Sequence, residues 1–190
     1  MFMGTQSLLY YAASSWLPTL FRDRGASAST AGELLAVMGA GNLALSLITP
    51  VLAQRMRAQY VLVLPAVAGI AVGLAGALYA PLGSQVVWML ILGAAQNASL
   101  SIAIYFTMAR APDPATAASL SAMAQSVGYL LASIGPLAVG LLHSATGSWQ
   151  LPIMILLALT AVTLVSGMLA ARPRVLPARP EQVSAATREG

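Results

Sequence analysis

The chain has 190 residues, 58% of them hydrophobic and 7% charged, with no cysteine, and a mean hydropathy of +0.81. A soluble domain carries ~25% charged residues, so this composition excludes an ordinary water-soluble enzyme or scaffold. The missing cysteines exclude a disulfide framework and a thiolate metal site. The net charge of +4 does not describe a nucleic-acid binder, because the nine basic residues, all arginine, flank apolar stretches rather than forming a basic face.

Apolar stretches of about 20 residues cross a bilayer as helices, and the length accommodates six of them. The first runs from about residue 2 to 20, with Gln6, Tyr10 and Ser14 four apart on one face and Pro18 expected to loosen its exit. No cleavable leader is expected, because the first residues lack a basic segment. A polar loop, Phe21 to Ser29, leads to the second span, about 31–53. There Thr30 and Glu33 have capping-box spacing, and Asn42, Ser46 and Thr49 form a polar stripe that Pro50 closes. Gly39 and Gly41 suit close helix contact.

The third span, about 60–80, carries no Asn, Gln, Ser or Thr, but has Gly69, Gly73 and Gly76 for packing. After the turn Pro81 to Ser84 comes the fourth, about 85–109, with Gln96 and Asn97 adjacent at its middle; Asn97, Ser101 and Tyr105 share one face. Asp113 and Pro114 then signal a helix start. The fifth span, about 114–142, runs without a charge and carries Gln125, Tyr129, Ser133 and Pro136 on one face. Gly147 suits a left-handed turn and Trp149 a headgroup-level anchor. The sixth span, about 151–171, is aliphatic; the tail 174–190 has little to bury and is expected to be mobile.

Six spans place seven arginines (Arg55, Arg57, Arg110, Arg172, Arg174, Arg179 and Arg188) on one side and two (Arg22 and Arg24) on the other. The positive-inside rule then puts both termini in the cytoplasm, as expected in a cell (inner) membrane. A weak internal repeat sets residues 31–50 against 117–136, matching at Ala31/Ala117, Leu34/Leu120, Ala36/Ala122, Leu45/Leu131, Ile48/Ile134 and Pro50/Pro136. It pairs the second span of each triplet, and these cross in opposite senses, the plan of a 3+3 inverted repeat. Spans one, two, four and five carry polar stripes and would line a path; three and six would be peripheral. The expected fold is an all-α, six-transmembrane-helix bundle.

The segments Gln6 to Tyr11 with Trp16-Leu17-Pro18, Ala109 to Pro114, and Ser121 to Ala132 continuing through Gly135-Pro136 to Trp149 resemble the second half of cyanate/nitroimidazole transporters of the major facilitator superfamily. The likeness covers about residues 2–173. It implies spans seven to twelve of a twelve-span rocker-switch carrier for a small anion or a small polar or nitroaromatic compound, with an efflux carrier of the same superfamily as the alternative. The partners so implied are the solute, the bilayer, and an absent six-span half or a second copy, the chain resembling a fragment. Two features depart from the pattern: Ser144 follows His143 where an acidic residue is expected, and the basic motif between spans two and three survives as Gln54-Arg55-Met56-Arg57.

The candidate substrate-binding residues are Gln6, Tyr10, Asn42, Gln96, Asn97, Gln125 and Tyr129. Each also has a packing reading, since polar side chains often bond between membrane helices; for Asn42, beside two glycines, packing is favoured. Glu33 reads as a cap rather than a proton carrier, and His143 as a loop histidine at a helix end. No acidic or basic side chain lies at the middle of a span, and no cofactor, metal or catalytic residue is expected. A rhomboid-like protease would need a Gly-x-Ser motif in a span paired with a His on another helix; Gly25-Ala26-Ser27 lies in the loop after the first span and the single His143 at a helix end, and the tandem Asn-Pro-Ala motifs of a water channel do not occur.

Overall fold

The computed structural model describes residues 1–46, 48–56, 60–109 and 111–172. Among them every regular element is helical: α1 (Phe2–Asp23), α2 (Ala28–Ser46), α3 (Ile48–Arg55), α4 (Tyr60–Tyr79), a 3₁₀ turn (Leu82–Ser84), α5 (Gln85–Met108), α6 (Pro114–Thr146) and α7 (Gln150–Ala170). In lipid every backbone polar group must be paired internally, which only helices achieve within one segment. Ala28–Arg55, Tyr60–Tyr79, Leu82–Met108, Pro114–Thr146 and Gln150–Ala170 are long and apolar enough to cross a membrane. With 22 residues, α1 is as long as several of these but more polar, and more than half of it, including Thr5, Gln6 and Ser7, is buried against other helices.

The helix ends show which signals the chain uses. Asp113 has extended backbone angles and accepts from the Thr116 amide at 2.9 Å, with Pro114 at the first helical position, as the sequence predicts. Gly147 ends α6 with φ 63°, a left-handed conformation that costs glycine nothing. Pro18 and Pro50 both lie inside helices: α1 continues to Asp23 and the second crossing to Arg55. One expectation is corrected. The expected Thr30–Glu33 box is displaced by a turn, because Ser27 accepts from the Thr30 amide at 3.1 Å while Glu33 accepts from Ser29 at 2.9 Å. Residues 174–190, Arg57 and Arg110 lie outside the described residues.

The helix pairings carry the inverted repeat. The most extensive are α2 with α5 and α1 with α6, which exchange with each other when the first three crossings are swapped for the last three. The same swap turns α4–α5 into α7–α1 and α1–α2 into α5–α6, and leaves α4–α7 unchanged. Small residues make the crossings close, since in lipid packing rather than water exclusion drives association. A Cβ on Gly93 would lie 1.9 Å from the Met38 carbonyl oxygen, and one on Gly41 2.5 Å from that of Leu90, so α2 and α5 touch backbone to backbone. Gly69, Gly73 and Gly76 of α4 seat Ala95, Leu92 and Trp88 of α5. Gly39, expected to do the same, is exposed and touches nothing within 4 Å of its would-be Cβ.

Two apolar clusters fill the bundle. One gathers Leu9, Leu20, Phe21, Leu34, Met38, Leu74, Met89 and Leu92. The other gathers Phe2, Met3, Val63, Val67, Ile102 and Phe106. Along both α1 and α5 the boundary between them falls at buried polar residues: Gln6 and Ser7 on one helix, Gln96 and Ser99 on the other.

Candidate functional site

At that boundary lies a small cleft of about 140 Å³. Helix α1 contributes Gln6, Ser7, Tyr10 and Tyr11; α2 contributes Asn42, α5 Gln96 and Leu100, and α6 Tyr129. Five of the seven sequence candidates thus converge from the four helices expected to line a path. None of the lining residues is charged. A wider cleft of about 640 Å³ between Met1 and α7 is almost wholly aliphatic and offers little to fix a solute's orientation.

The amides in the cleft differ in their bonding. Gln6 Nε2 donates to Ser7 Oγ at 2.8 Å, so that group is occupied. Gln96 is 2% exposed, and neither its Nε2 nor its Oε1 has a hydrogen-bond partner among the described residues; nor does Asn42 Oδ1. Buried polar groups are nearly always paired, and within the cleft lining these three atoms are left without a partner among the described residues. Asn42 sits at the α2–α5 crossing, where its backbone amide closes on Gly93. The rings form one wall: Tyr10 meets Tyr11 edge-on at 5.3 Å, and Tyr11 meets Tyr129 edge-on at 6.1 Å.

The other two candidates lie outside this lining. Asn97 Oδ1 accepts from Ser101 at 3.2 Å on the same helix, and Gln125 Nε2 donates to Ser121 Oγ at 2.9 Å, one turn below Tyr129. Ser7, Tyr11 and Leu100 are lining residues that the stripe pattern did not single out. The signal for Ser7 and Tyr11 was their position next to Gln6 and Tyr10, which widens the polar face of α1 beyond a single i, i+4 row.

At the opposite end of α1 a second cluster ties three helices together. Trp149, at the start of α7, is buried against the ends of α1 and α6. Its ring stacks on His143 at 3.8 Å, and its Nε1–H donates to Asp23 Oδ2 at 2.9 Å. His143 Nε2 lies 3.7 Å from the same carboxylate oxygen, and Trp16 Nε1 donates to the Pro136 carbonyl at 2.7 Å. Asp23 supplies the acidic partner of His143 that position 144 lacks. Nearby, the Arg24 guanidinium donates to the Ala77 and Ala80 carbonyls at the end of α4.

A bundle of membrane-length helices around an uncharged polar centre defines a multi-pass α-helical membrane protein with a small-molecule-sized cleft. The chain belongs to the Major Facilitator Superfamily, whose family model matches residues 2–189. It is 38% identical over 178 residues to the uncharacterized transporter YycB of Bacillus subtilis, covering 92% of this chain and 44% of that protein. It is 33% identical over 174 residues to the 2-nitroimidazole transporter of Escherichia coli, with the same coverages of 92% and 44%. The cyanate transport protein CynX of Escherichia coli is 29% identical over 140 residues, 74% of this chain and 36% of its own length. The chain thus spans less than half the length of these relatives. No solved structure gives a significant match.

Proposed function

We propose that this chain is the C-terminal half of a carrier that moves a small solute across a cell (inner) membrane by alternating access, with both termini cytoplasmic. The observation that carries this reading is the convergence of Gln6, Tyr10, Asn42, Gln96 and Tyr129, from four helices, on one uncharged cleft. The relatives' named solutes, 2-nitroimidazole and cyanate, suggest the size class. Asn97 and Gln125 would contact solute nearer the other half.

The opposing wall would come from an N-terminal six-span half or a second copy. Helix α6 buries only Gly128, Ala132, Gly135 and Val139 of its 33 residues, and its Val127, Leu130, Ile134 and Leu137 are exposed, as are Ala36, Gly39 and Leu43 of α2. Those two helices occupy equivalent places in the repeat, so one partner would meet both.

The test is uptake of labelled 2-nitroimidazole and cyanate into vesicles carrying the full-length protein. The reading expects uptake that falls at least tenfold in Gln96→Leu. Uptake unchanged by Gln96→Leu and by Tyr10→Phe removes the cleft as the site; no uptake or efflux of either solute removes the assigned solute class.

A further inference from the structure

We infer that the cleft selects a neutral, planar solute that carries a hydrogen-bond donor directly beside an acceptor, and that Gln96 is the residue that reads this pair. The inference rests on the transport reading above for its location but adds the chemistry of the solute.

Gln96 presents both halves of a carboxamide, one donor group and one acceptor, side by side and buried at 2% exposure with neither half bonded among the described residues. Asn42 Oδ1 adds a second unpartnered acceptor on the facing helix. The remaining amide, Gln6, is held by Ser7. A solute with acceptors alone, such as a small inorganic anion, pairs with Gln96 Nε2 but leaves two buried carbonyl oxygens facing its lone pairs. No charged residue in the lining compensates an anion for its lost hydration. A solute with a donor alone leaves Nε2 unpaired. A vicinal N–H and ring nitrogen, a carboxamide or an undissociated acid satisfies both halves at once.

Shape points the same way. The tyrosine wall offers edges and faces suited to a flat π-system. A volume of about 140 Å³ corresponds to roughly five waters at ~30 Å³ each, the scale of a five- or six-membered ring. Sites built to bond a buried N–H or O–H discriminate strongly against the analogue that lacks it, because their own polar atoms are then left unpaired.

Pyrazole and 1-methylpyrazole test this directly. Both are flat and neutral, and only the first has the donor beside the acceptor. Dissociation constants would be measured by calorimetric titration of the purified full-length protein, with cyanate as the acceptor-only probe. The expected result is pyrazole binding at least tenfold tighter than either alternative, the preference over 1-methylpyrazole shrinking to within about twofold in Gln96→Leu. A Gln96→Glu variant, isosteric and without the amide donor but still an acceptor, should weaken binding of both pyrazoles through the lost bond to the ring nitrogen while keeping a preference for the one with the N–H, and a single monodisperse elution peak verifies that each variant is folded. Pyrazole binding no tighter than 1-methylpyrazole or cyanate, a complete lack of pyrazole binding, or a preference that survives Gln96→Leu each overturns the inference. Solute uptake without this discrimination leaves the transport reading standing; discrimination without any transport refutes that reading instead.

Discussion

The indole N–H of Trp149 donates to the carboxylate of Asp23 at 2.9 Å, joining the start of α7 to the end of α1. His143, from the end of α6, stacks on the same indole at 3.8 Å. Three helix ends are thus held by one side chain, and the bond is charge-assisted, which makes it stronger than a neutral one.

Trp149→Phe should keep the stack and lose the bond. Because the Asp23 side chain is about half exposed, the expected loss is about 1 kcal/mol. Trp149→Ala removes the packing too and should cost about 3 kcal/mol. Thermal unfolding in detergent measures both. A midpoint unmoved by Trp149→Ala would mean that the corner contributes nothing to stability.

The α2–α5 crossing should be intolerant of a single methyl. At Gly93 the added carbon would stand 1.9 Å from the Met38 oxygen, and backbone cannot move aside as a flexible side chain can. Gly93→Ala should abolish monodisperse expression and Gly41→Ala should reduce it strongly. Gly39→Ala, with nothing nearby, should behave as wild type. Size-exclusion profiles of the three variants decide this, and a normal profile for Gly93→Ala would contradict the crossing geometry.

Arg24 caps the end of α4 through the carbonyls of Ala77 and Ala80. A cation there also opposes the negative end of the helix dipole. Arg24→Ala should destabilise by about 1 kcal/mol and speed hydrogen exchange at the last turn of α4. Arg24→Lys should recover part of the protection, since an ammonium keeps the charge but lacks the fork that reaches two carbonyls. Exchange unchanged in Arg24→Ala would leave Gln85, which donates to the Gly76 and Ala80 carbonyls, as the sufficient cap.

Much of the fold was legible because in lipid the length of an apolar run and the absence of charge decide the element. Asp113 with Pro114 and Gly147 marked helix ends correctly for local reasons of capping and backbone sign. Pro18 and Pro50 lie within helices, as their positions inside the apolar runs imply, because neighbouring helices hold the turn that a proline weakens. In the cleft, Gln6, Tyr10, Asn42, Gln96 and Tyr129 were legible as polar interruptions of apolar helices. Which of them share a space depends on the helix crossings, and those are set by Gly41 and Gly93, whose contact partner no single helix reveals. The same limit hid the Trp149–Asp23 bond, whose partners lie 126 residues apart.

These 190 residues contain no cysteine, so once any cysteine elsewhere in the full-length protein is replaced, one introduced thiol reports on one place. The most direct test of the cleft is the rate at which a membrane-permeant maleimide labels Leu100→Cys, inside the lining, and Leu141→Cys, exposed and outside it. With the full-length protein in vesicles, a transported solute should slow labelling at position 100 at least several-fold and leave position 141 unchanged. Equal labelling at position 100 with and without every solute that the vesicles accumulate would contradict the cleft as the place where solute binds.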